Sequence, residues 1–173
     1  MTLIGVISDT HGKLDPRAYA ALADCDCIIH AGDIGGPAIL RELKTLAPVT
    51  AVLGNNDFPE YGSDVKRSVQ TTIDGVKFLV AHYPYDVRIT ALGTAALAPG
   101  DPIPDVCIHG HTHVPEIVVG REVRPALMRL CPGSAFRPRG GFPRCIAKID
   151  VSEGRVRSAW VESLEGDRLM EWK

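Results

Sequence analysis

The chain has 173 residues, 45% hydrophobic and 23% charged, a length and balance that suit one globular domain with a sizeable core. A formal net charge of −2 gives no global electrostatic case for nucleic acid or an anionic membrane as partner. No apolar run approaches the roughly 20 residues a membrane helix needs. The start of the chain reads directly as a strand, without a basic, cleavable leader. The five cysteines are odd in number and form no Cys-x-x-Cys pair, which favours a reduced, cytoplasmic setting over a disulfide framework.

In chain order, 3–7 is an apolar run that reads as a buried strand and ends at Ser8-Asp9-Thr10-His11. A helix follows over 15–23, with Asp15 as N-cap and Pro16 in the first helical position. A second strand, 27–30, ends at Ala31-Gly32-Asp33. The helix expected over 37–46 is amphipathic through Ile39, Leu40, Leu43 and Leu46. A third strand, 49–53, runs into Gly54-Asn55-Asn56-Asp57. This strand–helix alternation implies a parallel sheet with right-handed crossovers.

The rhythm then changes. The runs 68–73 and 76–81 flank Asp74-Gly75, a hairpin signal, and the second ends at His82. A helix is expected over 86–98, with Gly93 counting against it. The buried strand 106–108 ends at His109-Gly110-His111-Thr112-His113. Further strands are expected at 116–119, 122–130, 145–151 and 155–162. There is no internal repeat, linker or low-complexity segment. The fold class is therefore α/β (α+β in some schemes), with two packed sheets and outer helices in a single domain over 1–173.

Every expected core strand in the first two-thirds ends in a side chain able to bind a metal. These are Asp9 with His11, then Asp33, Asn55, His82, and His111 with His113. Seven oxygen and nitrogen donors are too many for one tetrahedral zinc. They suit two cations sharing one carboxylate, an arrangement that clamps the attacking and leaving oxygens of a phosphoryl displacement. Asn55 offers a neutral oxygen where another carboxylate would over-neutralise the cations. The alternative is a set of unrelated polar strand ends, with the histidines of 109–113 lying on one strand face.

Asp9-Thr10-His11, Gly32-Asp33, Gly54-Asn55, His82 and Gly110-His111-Thr112-His113 resemble, in order, the signature of the calcineurin-like metallophosphoesterases. The short length, Gly54-Asn55-Asn56-Asp57 and Pro132-Gly133-Ser134 are similar to the small prokaryotic phosphodiesterase subgroup. The resemblance implies two mixed sheets flanked by helices. It also implies one metal on Asp9, His11 and His113, a second on Asn55, His82 and His111, and Asp33 as bridge. Catalytic roles would fall on Asp33, Asn55, Asn56 and His82, with a metal-bridging hydroxide attacking phosphorus in line. The cofactor would be two divalent ions, manganese first, with iron, nickel or zinc as alternatives.

Departures from the family pattern raise further expectations. Asn56 stands where larger members carry a histidine that protonates the leaving group, and an amide is no general acid. The enzyme would then rely on metals or water for that proton and favour good leaving groups; a plain turn residue is the other reading. Asp57 is expected to orient the loop or a ligand. Tyr83 and Tyr85 would line the cleft or simply pack. Cys131 reads as structural, and His30 and His109 as supporting or core residues. Arg137 and Arg139 would contact a substrate phosphate or lie in solvent.

The leading function is a dimetal phosphoesterase, specifically a phosphodiesterase. Its partner would be a small phosphate ester, nucleotide-like among the options, with a homo-oligomer open. The alternative is a non-catalytic, metal-binding interaction scaffold of the same fold, since a eukaryotic retromer subunit resembles this subgroup. A protein phosphatase ranks lower, for the chain has little extra material to build a peptide groove.

Overall fold

The computed structural model describes residues 1–58, 60–90 and 96–173. Strands β1 (Thr2–Ile7), β2 (Cys27–His30) and β3 (Val49–Ala51) run parallel, linked by helices α1 (Pro16–Ala21) and α2 (Pro37–Leu43). The later strands are β4 (Ser68–Ile73), β5 (Val76–Ala81), β6 (Val106–Ile108), β7 (Glu116–Val119), β8 (Met128–Cys131), β9 (Cys145–Ser152), β10 (Arg155–Ser163) and β11 (Arg168–Trp172). They complete a six-stranded sheet, β11-β10-β9-β1-β2-β3, and a five-stranded sheet, β4-β5-β6-β8-β7. Both are mixed: β9 lies antiparallel to β1, while β6 pairs parallel with β5 and β8.

Alternation along each strand decides what packs where. Ile4, Val6 and Ile29 face inward and meet Phe78, Val80, Ile108 and Leu130 of the other sheet, so the main core lies between the sheets. Ile7 and Ile28 face outward and are covered by Ala18 within α1 and Leu22 just after it, and by Leu40 and Leu43 of α2. The outer face of the five-stranded sheet is covered differently. Leu79 and Cys107 pack on Val87 and Ala126, which lie in turns, and no helix covers that face among the described residues.

The N-cap of α1 is Asp15, whose carboxylate accepts the Arg17 amide, with Pro16 in the first turn. Both helices stop earlier than their apolar periodicity implies, at Ala21 and Leu43, because the last residues of each pattern pack from turns. The strand expected over 122–130 begins only at Met128. Residues 121–127 form turns, where Pro125 has no N–H to give a ladder. β11 was not anticipated; it is a partly exposed edge strand on β10. Of the helix expected over 86–98, residues 86–89 are turn and irregular, Thr90 is a bridge residue, and 91–95 lie outside the described residues.

Candidate metal centre

The turns that end the core strands are bonded to one another before any side chain is considered. The amides of Asp9 and His11 donate to the carbonyls of Gly32 and Asp33 at 3.0 and 2.9 Å, and the Gly110 amide donates to the His82 carbonyl at 3.0 Å. Asp9, His11, Asp33, His111 and His113 have φ of 55°, 47°, 52°, 67° and 60°, the left-handed region that an L side chain occupies at a cost of about 1–2 kcal/mol. Each such residue turns the chain sharply at a strand end, and the surrounding bonds hold the strain.

Two motif glycines are explained by close approach. A Cβ on Gly54 would lie 2.1 Å from the Asp33 carboxylate, and one on Gly110 would lie 2.0 Å from Ser8 Oγ and 2.8 Å from Asp9 Oδ2. Asp57 does orient its loop. Its carboxylate accepts the amides of Ile34, Gly35 and Gly54 at 3.0, 2.9 and 2.8 Å and the Tyr61 hydroxyl at 2.9 Å. Burial raises the Asp57 pKa, but these donors hold it below the ordinary carboxylate value.

The structure brings all seven expected donors to one crevice beyond the strand ends. Asp9, His11, Asp33 and His113 each offer an atom, and these atoms lie within 4.8 Å of one another. His11 Nε2 is 3.4 Å from His113 Nε2, 3.9 Å from Asp9 Oδ1 and 3.7 Å from Asp33 Oδ2. On the other side, Asn55 Oδ1 lies 3.0 Å from both His82 Nε2 and His111 Nδ1. Asp33 links the two groups, because its Oδ1 lies 3.5 Å from His82 Nε2. Asn56 donates to Asp33 through its backbone amide at 2.9 Å and its side-chain amide at 2.7 Å, so it is more than a turn residue.

The donor atoms face one another with lone pairs. His82 Nδ1 is 2.8 Å from the Ala31 carbonyl, so it carries the hydrogen and leaves Nε2 an acceptor against the acceptor Asn55 Oδ1. His113 Nδ1 likewise faces the Arg137 carbonyl, leaving Nε2 toward the buried Asp9. Asp9 Oδ2 is satisfied by Ser8 Oγ at 2.6 Å and the His111 amide at 3.1 Å. Asp9 Oδ1 is 3.0 Å from His113 Nε2, yet that buried oxygen is without a hydrogen bond.

The adjoining Asp9 carboxylate raises the His113 pKa against its burial. Burial opposes ionisation of Asp9, but His113, His82 and Ser8 leave its pKa below the usual value. Burial and the neighbouring His82 lower His111, keeping its imidazole neutral and able to donate a lone pair. An orphaned buried carboxylate oxygen and paired acceptors are the environment a cation satisfies. The donors are nitrogen and oxygen only, which suits a borderline or hard divalent ion.

His30 and His109 stand behind the crevice. Nδ1 of the buried His30 accepts the Gly32 amide at 3.2 Å, so Nε2–H donates to Thr10 Oγ1 at 2.9 Å. Burial pushes its pKa down to about 4. His109 has acceptors at both nitrogens, Gly110 O at 2.9 Å and Glu116 Oε1 at 2.8 Å. Burial disfavours its charge, but Cys131 and Glu116 raise its pKa to about 10. Cys131 is buried and free, and its sulfur contacts the Thr112 hydroxyl at 3.6 Å. The Tyr83 ring meets the His111 ring edge-on, with centroids 4.5 Å apart, and stacks on Tyr85.

Two serines had no role assigned from sequence. Ser8 holds Asp9, and Ser134 Oγ donates to the Asp9 carbonyl at 3.0 Å. Their signal was position alone, one beside the first motif and the other inside Pro132-Gly133-Ser134. His11, Asp33, Asn55, Asn56, His111 and His113, with Arg137 and Arg139, line an open cavity of about 230 Å³.

Two donor groups joined by one carboxylate, at the strand ends of two packed mixed sheets, define a metallophosphoesterase architecture. The chain belongs to the calcineurin-like phosphoesterase superfamily, whose domain model matches residues 2–154. It is 39% identical over 149 residues to a probable metallophosphoesterase of Methanothermobacter thermautotrophicus, covering 79% of each chain. It is 36% identical over 162 residues to another from Methanocaldococcus jannaschii, covering 87% of this chain and 77% of that one.

Among solved structures, the YfcE phosphoesterase of Escherichia coli superposes with a TM-score of 0.72 at 21% identity over 98% of each chain. Vps29 of Entamoeba histolytica, complexed with zinc, gives 0.71 at 18% identity, again over 98% of each. These distant structures share the fold. Proteins of the family bind divalent metals and hydrolyse phosphate esters, and no helix among the described residues is long and apolar enough to cross a membrane.

Proposed function

We propose that residues 1–173 act as one phosphodiesterase unit that binds two divalent cations and cleaves small phosphate diesters, nucleotide-like ones among them. One cation would be held by Asp9, His11 and His113, the other by Asn55, His82 and His111, with Asp33 shared. The observation that carries this reading is the position of Asp33, one oxygen 3.7 Å from His11 and the other 3.5 Å from His82. When bound, such a cation pair lowers the pKa of a water and offsets charge on the phosphoryl oxygens.

The chain's own residues set the geometry of that chemistry. The carbonyls of Ala31 and Arg137 fix His82 and His113 in the tautomer that points Nε2 inward. Asn56 holds both oxygens of Asp33 and supplies no proton, so leaving-group protonation falls to solvent and good leaving groups are favoured. Diesters suit the crevice because Arg137 and Arg139 line it and Tyr83 lies against His111, giving groups on either side of Asp33 for two ester arms. The mixed donor set, four imidazoles with three oxygen side chains, admits manganese, proposed first, with iron, nickel and zinc as competitors. Five free cysteines fit a cytoplasmic setting.

The test is a panel of aryl phosphodiesters and phosphomonoesters assayed on metal-stripped protein with each divalent ion restored in turn. Metal-dependent diester turnover exceeding monoester turnover is expected. No turnover with any ion would favour the scaffold reading, and monoester preference would remove the diester assignment.

A further inference from the structure

Besides Asn56, which holds Asp33, the cavity of the candidate ligands is bordered by two side chains that belong to neither metal set. Both are arginines, Arg137 and Arg139. Their backbone is fastened to the centre itself. Ser134 Oγ, which donates to the Asp9 carbonyl, accepts the Arg137 amide at 2.8 Å, and the Arg139 amide donates to the His113 carbonyl at 3.1 Å. His113 in turn bonds the Arg137 carbonyl. The segment is an exposed loop in its side chains and a fixed element in its main chain.

Neither guanidinium is neutralised. Arg144 nearby is committed to Asp15 at 3.1 Å, whereas Arg137 and Arg139 form no ion pair among the described residues. Arg137 lies over the Phe136 ring at 5.2 Å, a contact that supports the side chain and leaves its charge available. Lys13 Nζ, two residues beyond His11, lies 5.2 Å from the same ring. Positive charge therefore gathers on the His11–His113 side of the cavity, while the His111 side is backed by Tyr83. A single phosphoryl group at Asp33 would be served by the two cations and would leave this charge unused.

We infer that Arg137 and Arg139 form a subsite for a second phosphate on the substrate, placed beyond the His113 side of the crevice. The preferred substrates are then phosphate esters that carry a further phosphate on the arm facing these arginines. A planar guanidinium pairs with a phosphate through two parallel N–H···O bonds, which a lysine cannot reproduce. This inference rests on the reading of Asp33 as the seat of the reacting phosphate.

Calorimetry on the manganese-loaded protein tests it without requiring turnover. Propane-1,3-bisphosphonate should bind about tenfold or more tightly than propylphosphonate. That advantage should shrink below about threefold in Arg137→Gln/Arg139→Gln and be only partly restored by Arg139→Lys, whereas Arg155→Gln on a distant surface should retain it. Equal affinities in the wild type, or an advantage that survives the double variant, would overturn the subsite. A matched pair of p-nitrophenyl diesters, with and without a terminal phosphate on the second arm, gives the kinetic counterpart as a KM difference. An arginine-dependent binding advantage with no hydrolysis of either ester would leave the subsite standing and remove the phosphodiesterase reading. Hydrolysis without that binding advantage would do the reverse.

Discussion

The two halves of the crevice are built to different standards. Around His11, itself partly exposed, Asp9 and His113 are buried and tightly fastened, Asp9 at 0% exposure and His113 at 4%. Ser8, Ser134 and the Arg137 carbonyl all hold them. Around Asn55, His82 and His111 only His82 is buried, Asn55 is exposed, and the oxygen donor is a neutral amide. A buried carboxylate with an orphaned oxygen attracts a cation more strongly than an exposed amide does. On the proposed two-cation reading the sites should differ in affinity, with Asp33, among the described residues, the one carboxylate assigned to the weaker.

Experiments can break or sharpen that contrast. The largest effect is expected for Asp33→Ala, which removes the shared ligand. The value of kcat/KM should fall by about a thousandfold or more, with metal content below one ion per chain. Retention of two ions would show that the halves are independent. Asp9→Asn and Asn55→Ala should each cost about a hundredfold at limiting metal. Excess metal should rescue Asn55→Ala and leave Asp9→Asn impaired. Equal rescue of both would erase the asymmetry.

The histidines behind the two halves extend the contrast to pH. The unfolded chain protonates His30 near 6.5 and the folded chain near 4, so between those values the unfolded state carries the extra proton. Stability from this group is therefore lost as pH falls through that window, by about 2 kcal/mol between pH 7 and pH 5. His109 has the opposite sign: its contribution is complete below 6.5 and disappears as pH rises through about 10. Urea unfolding of the wild type and His30→Gln across pH 5 to 7 isolates the first effect. Parallel pH dependences would contradict a neutral His30.

The smallest change is expected for Asn56→His. Turnover of esters with poor leaving groups should rise by about fivefold, with a new limb in the pH profile. An unchanged rate and profile would mean that leaving-group protonation is not limited by position 56.

Much of this was legible in the sequence because strand ends are fixed by apolar runs, and polar residues immediately beyond them have few places to go. The runs before Asp9, Asp33, Asn55, His82 and His111 were short and uninterrupted, and the seven donors do converge. What escaped notice depends on contacts across the sheets. Ser134 is 125 residues from the carbonyl it bonds, and no local pattern signals that pairing. β11 alternates weakly at an exposed edge, and the turns before β8 contain apolar Val123 and Ala126, which mimic a strand while packing under the five-stranded sheet. The placement of the arginines rests on backbone bonds to His113 and, through Ser134, to Asp9, which no local sequence pattern signals.

The most direct measurement is an anomalous difference map from crystals of the full chain soaked in manganese. The account predicts two peaks, one on each side of the Asp33 carboxylate, with the peak beside Asp9 and His113 the stronger at low metal. A single peak, or two that leave Asp33 without a cation, would contradict it.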